Sequence, residues 1–138
     1  MKQNVTRLCI ILTCVFMLSS CTPVVEIFLF NNSGYPVKVK ISDNNTICTI
    51  ENGKGARLGY LNYQPIFIQT EKTNWVYCIT NQIPLESCLT PSRWERHKLR
   101  VQLEATGEIY MLLPMDALPL KNFTNQPSGF PLQPTIQP

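Results

Sequence analysis

Between residues 24 and 113 the chain is a series of short apolar runs broken by turn residues. Val37, Val39 and Ile41 alternate with Lys38 and Lys40, and Leu99, Val101 and Leu103 alternate with Lys98, Arg100, Gln102 and Glu104. A period of two sends one set to a core and the other to water, so both runs predict strands with their charges on the outer face. Val24 to Phe30 is rich in β-branched and aromatic residues, which suit a strand. Further strands are predicted at Thr46 to Ile50, Ala56 to Leu61, Ile66 to Thr70, Trp75 to Thr80 and Ile109 to Leu113. Gly59 weakens its strand or marks a bulge. Asn31-Asn32-Ser33-Gly34, Ser42-Asp43-Asn44-Asn45, Glu51-Asn52-Gly53 and Ala105-Thr106-Gly107 supply the turns. Short connections imply antiparallel pairing. Ile109 to Leu113 is apolar on both faces and is expected at the centre of a sheet. A short helical turn is expected near Thr90 and Pro91, stapled by Leu89 and Trp94. The fold class is all-β: a small antiparallel β-sandwich or barrel of about eight short strands.

The pattern changes at both ends. Residues 115–138 carry five prolines and only Asp116 and Lys121 as charges. Proline at that density opposes regular pairing. Met115 to Asn125 is expected to pack across the domain through Leu118, Leu120 and Phe123. From Gln126 onward an extended, mobile tail is expected, with Phe130, Leu132 and Ile136 as apolar anchors for a partner groove. At the other end, Lys2 and Arg7 precede an apolar run from Leu8 to Leu18 that is too short to span a bilayer. A charged start, an apolar run of that length and small residues after it form a signal peptide. Four regions follow: a signal peptide over 1–20, a short linker over 21–23, a β-domain over 24–114, and a Pro-rich extension over 115–138.

Composition narrows the function classes. With 44% hydrophobic and 15% charged residues, the chain is too apolar to be wholly disordered. A formal charge of +3 is too small and too scattered to argue for nucleic acid. Cleavage before Cys21 would remove Lys2 and Arg7, leaving +1.

Leu18-Ser19-Ser20-Cys21 resembles the lipobox of bacterial lipoproteins. The resemblance covers residues 1–21. It implies cleavage between Ser20 and Cys21, a diacylglycerol on the Cys21 thiol, and acylation (palmitate, for example) of the new amine. Each buried acyl CH₂ contributes about 0.8 kcal/mol, so several chains hold a protein firmly. Thr22, rather than Asp, follows the anchor. By the same resemblance this favours the outer membrane, with the domain facing the periplasm.

Cleavage and acylation leave three thiols, Cys48, Cys78 and Cys88. In an oxidising compartment they suggest one disulfide and one leftover. Cys78–Cys88 closes the shortest loop and is the favoured pair, leaving Cys48 over, with the other pairings open. A metal set of these cysteines with His97 lacks the close ligand pairs that zinc sites use. His97 is the sole histidine and has no nucleophile near it in sequence. No phosphate-binding glycine loop or hydrolase motif occurs, so neither a cofactor nor catalysis is expected. Arg93, Arg96, Lys98 and Arg100 form the one basic cluster, which is suited to lipid phosphates or an acidic partner. Asn31, Asn44 and Asn122 each open a glycosylation triplet that a bacterium would leave idle.

These features predict a membrane-anchored, non-catalytic envelope lipoprotein that binds or assembles with an envelope protein. Two alternatives stand beside it. Gly55-Ala56-Arg57 followed by Tyr60 resembles the inhibitory loop of membrane-bound lysozyme inhibitors, although Lys54 stands where a serine commonly opens that loop. A small-ligand carrier would instead need space inside the barrel.

Overall fold

The computed structural model describes residues 24–41, 47–61, 64–78 and 96–137. Nine strands occur among them: β1 (Val24–Asn32), β2 (Val37–Ile41), β3 (Ile47–Ile50), β4 (Gly55–Leu61), β5 (Ile66–Gln69), β6 (Asn74–Tyr77), β7 (Arg96–Glu104), β8 (Ile109–Leu112) and β9 (Thr135–Gln137). One sheet runs in the order β4-β1-β7-β8 and the other in the order β3-β2-β5-β6-β9. The eight predicted strands therefore divide four and four, and a short ninth joins the second sheet. The architecture is a small all-β sandwich.

Alternation builds the core as expected. Val25, Ile27 and Leu29 of β1, and Leu99, Val101 and Leu103 of β7, project from the first sheet. Val37, Val39, Ile41, Ile50, Ile66 and Ile68 meet them from the second. At roughly 1.5–3 kcal/mol per fully buried side chain, this interdigitated layer is the main source of stability. Gly59 sits at φ +96°, where β4 shifts register against Ile27 and Phe28 of β1, so it marks a bulge.

Three expectations are corrected. Pairing is antiparallel except between β1 and β7, which run parallel from Val24↔Arg96 to Asn32↔Glu104. Chain proximity does not govern that pair, because β7 follows five other strands. β8 is an edge strand and not a central one.

The third correction concerns the expected mobile tail from Gln126 onward, which is held in the sandwich in the structure. Residues 115–125 first cross the outer face of the first sheet. There the Gln102 carboxamide donates to the Leu120 carbonyl at 2.9 Å and accepts from the Leu120 N–H at 2.8 Å. Phe123 stacks on Tyr110 at 3.9 Å between ring centres. The chain then runs along the open edge of β8. Gln126 accepts from the Met111 N–H at 2.8 Å and donates to its carbonyl at 3.1 Å, while Leu132 exchanges both backbone bonds with Ile109. Phe130 enters the core, and β9 pairs with β6. Residues 126–137 thus strap the β8 edge of one sheet to the β6 edge of the other. The extension from residue 115 is bonded to the strands that precede it. Its prolines permit the path because most of the segment bonds through side chains and isolated peptide groups rather than a continuous ladder.

The β8 pattern now has its physical reason. Leu112 faces outward and is only 3% exposed, because a second layer covers that face. Apolar residues on both faces signal two covered faces, and a chain segment covers a face as well as a second sheet does.

Candidate functional site

Two outward faces of the sandwich carry unusual chemistry. The first lies on the β4-β1-β7 surface. β1 presents Glu26 and Phe28, β4 presents Arg57 and Tyr60, and β7 presents Lys98 and Arg100. Register brings them side by side: Phe28 pairs with both Arg57 and Arg100, and Glu26 with both Tyr60 and Lys98. Glu26, Phe28, Arg57, Lys98 and Arg100 line a shallow depression of about 170 Å³. The Phe28 ring lies flat across β4, over Gly55, leaving no room there for even a Cβ. The Arg100 guanidinium stands 5.8 Å from the ring centre.

Charge around this depression is unbalanced. Arg57, Lys98 and Arg100 face one carboxylate, Glu26, which reaches Arg57 at 3.9 Å. Arg57 is 72% exposed, so that pair is wet and worth little. Arg100 is partly committed to the fold. Its Nη1 donates to the carbonyls of Leu113 at 2.9 Å and Pro114 at 2.7 Å, where the chain leaves β8. Of the expected basic cluster, the structure therefore brings Lys98 and Arg100 onto one face and adds Arg57. Arg93 lies outside the described residues, and the Arg96 backbone lies in β7.

The second face is the outer surface of the five-stranded sheet. Lys38, Lys40, Ile47, Phe67, Gln69, Asn74 and Val76 border a groove of about 320 Å³. Cross-strand register sets Ile47, Lys40, Phe67 and Val76 in one row, and Lys38, Gln69 and Asn74 in the next. Ile47 is 59% exposed. The outward positions of β2, β3, β5 and β6 carry two lysines and no acid.

The remaining candidates have plain fates. Cys48 is half-buried against the core and Cys78 is exposed; the two are not joined to each other. Cys88, Cys21, Ser20 and the Thr90 turn lie outside the described residues, so the favoured Cys78–Cys88 pairing does too. His97 pairs with Val25 through its backbone. Among the described residues no group of three His, Cys, Asp or Glu side chains is placed to hold a metal. Asn31 is fully buried and its carboxamide is fully bonded. It donates to the carbonyls of Tyr35 and Ile50 and accepts from the Ser33 N–H and hydroxyl. Its triplet is therefore a turn anchor and not an acceptor for sugar. Tyr77 donates its hydroxyl to the Gly107 carbonyl, and burial pushes its pKa upward.

Gly55 to Tyr60 stand in β4, paired with β1 from Phe30 to Glu26. Ala56 packs toward the core. The residues that resemble an inhibitory loop are thus strand residues. An interior void, lined by Ile27, Leu29, Leu99, Val101 and neighbours, measures about 10 Å³, at the lower limit for one water.

Sequence reasoning missed Phe28 and the Ile47–Phe67 row, and it named Arg57 only in the loop resemblance, apart from the basic cluster. Their types were visible, but only register makes them neighbours. Comparison with protein families, with curated proteins and with solved structures finds no match to this chain.

Proposed function

We propose that this chain is a lipid-tethered, non-catalytic binding module of the bacterial envelope. In this reading Cys21 carries the acyl chains at the outer membrane, and the sandwich faces the periplasm and grips an envelope protein. One observation carries the reading: only Thr22 and Pro23 separate the lipobox cysteine from β1, which begins at Val24. Three peptide steps span at most about 11 Å, so an acylated Cys21 would hold the sandwich against the bilayer surface.

The partner-facing surface in this reading is the groove of the five-stranded sheet. Its two lysines and its Ile47–Phe67–Val76 row suit an acidic segment with apolar side chains. The inhibitor alternative loses support because its residues form a paired strand. The carrier alternative loses support because the described interior has no room for a ligand.

The test is Cys21→Ser. Wild-type protein is expected to float with outer membranes and to carry the mass of its acyl chains. The variant is expected to lose both. A variant that still gains acyl mass overturns the reading.

A further inference from the structure

The tether and the basic depression share a strand. β1 begins at Val24, and Glu26 and Phe28 on the same strand form the floor of the patch that Arg57 and Lys98 border. Lys98 lies beside Glu26, five residues along from Cys21. At about 3.3 Å per residue, the whole patch lies within about 25 Å of an anchored Cys21 along the chain. It also lies on the outer face of the sheet that carries the tether.

We propose that this face, centred on Arg57, Phe28 and Lys98, is a bilayer-contact surface that binds the phosphates of anionic lipid headgroups. The proposal rests on the lipid-anchor reading and gives it an orientation. Three features suit a headgroup layer. Three cations face one carboxylate, and Arg57 and Lys98 are free to lean outward on long stems. Phe28 and the 45% exposed Tyr60 put aromatic rings among the charges, as interfacial side chains do. The depression is shallow and open, so it matches a sheet of headgroups rather than an enclosed small molecule. Arg100 forms the wall, because its Nη1 already holds the Leu113 and Pro114 carbonyls.

The groove on the other sheet has lysines too. However, it opens on the opposite side of the sandwich, a full sheet spacing of about 10 Å further from β1. That extra spacing would use almost the whole of a tether of at most about 11 Å, so the face that carries β1 is the one a tethered chain lays on the bilayer. The two faces therefore divide the work, one toward lipid and one toward protein.

The experiment uses the chain from Thr22 to Pro138, which contains every described strand and no acyl group. Its co-sedimentation is measured with phosphatidylcholine vesicles, with and without about one third phosphatidylglycerol. Binding to the anionic vesicles is expected, weakening with salt. R57Q/K98Q is expected to bind about 25-fold more weakly, since each surface cation contributes about fivefold. K38Q/K40Q, on the opposite face, is expected to bind like wild type. Both double variants should melt with wild type, because all four side chains are outward. Equal binding to both vesicle types overturns the proposal, as does a K38Q/K40Q loss matching that of R57Q/K98Q. The acyl mass of the full chain reports the anchor separately. An acylated chain whose soluble form ignores anionic vesicles sinks this proposal and leaves the anchor reading standing.

Discussion

A buried asparagine organises one turn, and two glutamines hold the extension. Asn31 lies within the core-facing register of β1, where an apolar residue would continue the alternation. Its amide instead closes the carbonyls of Tyr35 and Ile50, and its oxygen takes the Ser33 donors. N31A would leave the buried Ile50 carbonyl and the Ser33 groups without this partner. A loss of about 3 kcal/mol is expected in a urea titration, against near neutrality for the exposed N122A. Gln102 and Gln126 act similarly: each carboxamide pairs with one peptide unit as a neighbouring strand would. In the sequence, Asn31 read as a turn residue and Gln102 as a solvated outward position. The second was correct about backbone and wrong about burial, while Asn31 is both buried and still within β1, paired with Leu103. Alternation locates a side chain on a face, but it does not say what later chain will cover that face.

At the scale of elements, the sequence displayed the strands and concealed the strap. Eight runs of β-prone residues became eight strands because each has its own period and its own turns. The strap has neither. Its prolines suggest a free tail, while its stability comes from Phe130 in the core and from Gln126, Leu132 and Gln133 meeting partners some 15 to 25 positions earlier. F130A is expected to lower stability by about 3 kcal/mol, with a fall in Tm on the order of 10 °C by calorimetry. A chain ending at Asn125 should fare worse, since it loses the Leu132 bridge and β9 as well. Truncation is thus a stability experiment here and a poor probe of partner docking. The strap also has a pH signature. Glu108 accepts from Gln133 of the strap at 2.8 Å and from Tyr110 at 2.8 Å, and these bonds, Gln133 first, hold its carboxyl below the ordinary 4.5. A depressed carboxylate contributes stability above its unfolded value and loses it as pH falls through the folded one. The Tm advantage of wild type over E108Q should therefore be small but present above pH 4.5, and should vanish in more acid solution.

For the molecule as a whole, sidedness is the testable property. With β1 in one sheet and the apolar groove on the other, the two outer surfaces meet different surroundings in the proposed orientation. A photoreactive side chain in place of Tyr60 should crosslink to lipid in intact envelopes. The same group in place of Ile47 should crosslink to protein. Reversal of that pattern would sink the proposed orientation. The sequence marked Lys98 and Arg100 as part of a basic cluster and Lys38 and Lys40 as solvated strand charges, but it did not place the two pairs on opposite faces. Only the assignment of β2 to one sheet and β7 to the other separates them.

The long-range pairings, β1 with β7 in parallel and β6 with the distant β9 antiparallel, also govern timing. A chain emerging amino end first presents β1 long before Arg96–Glu104 can join it, and β6 some sixty residues before Thr135–Gln137. Until then Val25, Ile27 and Leu29 face water, and the seam between the sheets stands open. Folding must therefore wait for synthesis to run well past residue 130, which is slow for contacts of such long range. A product cut short before Phe130 would keep an open seam for a protease to find.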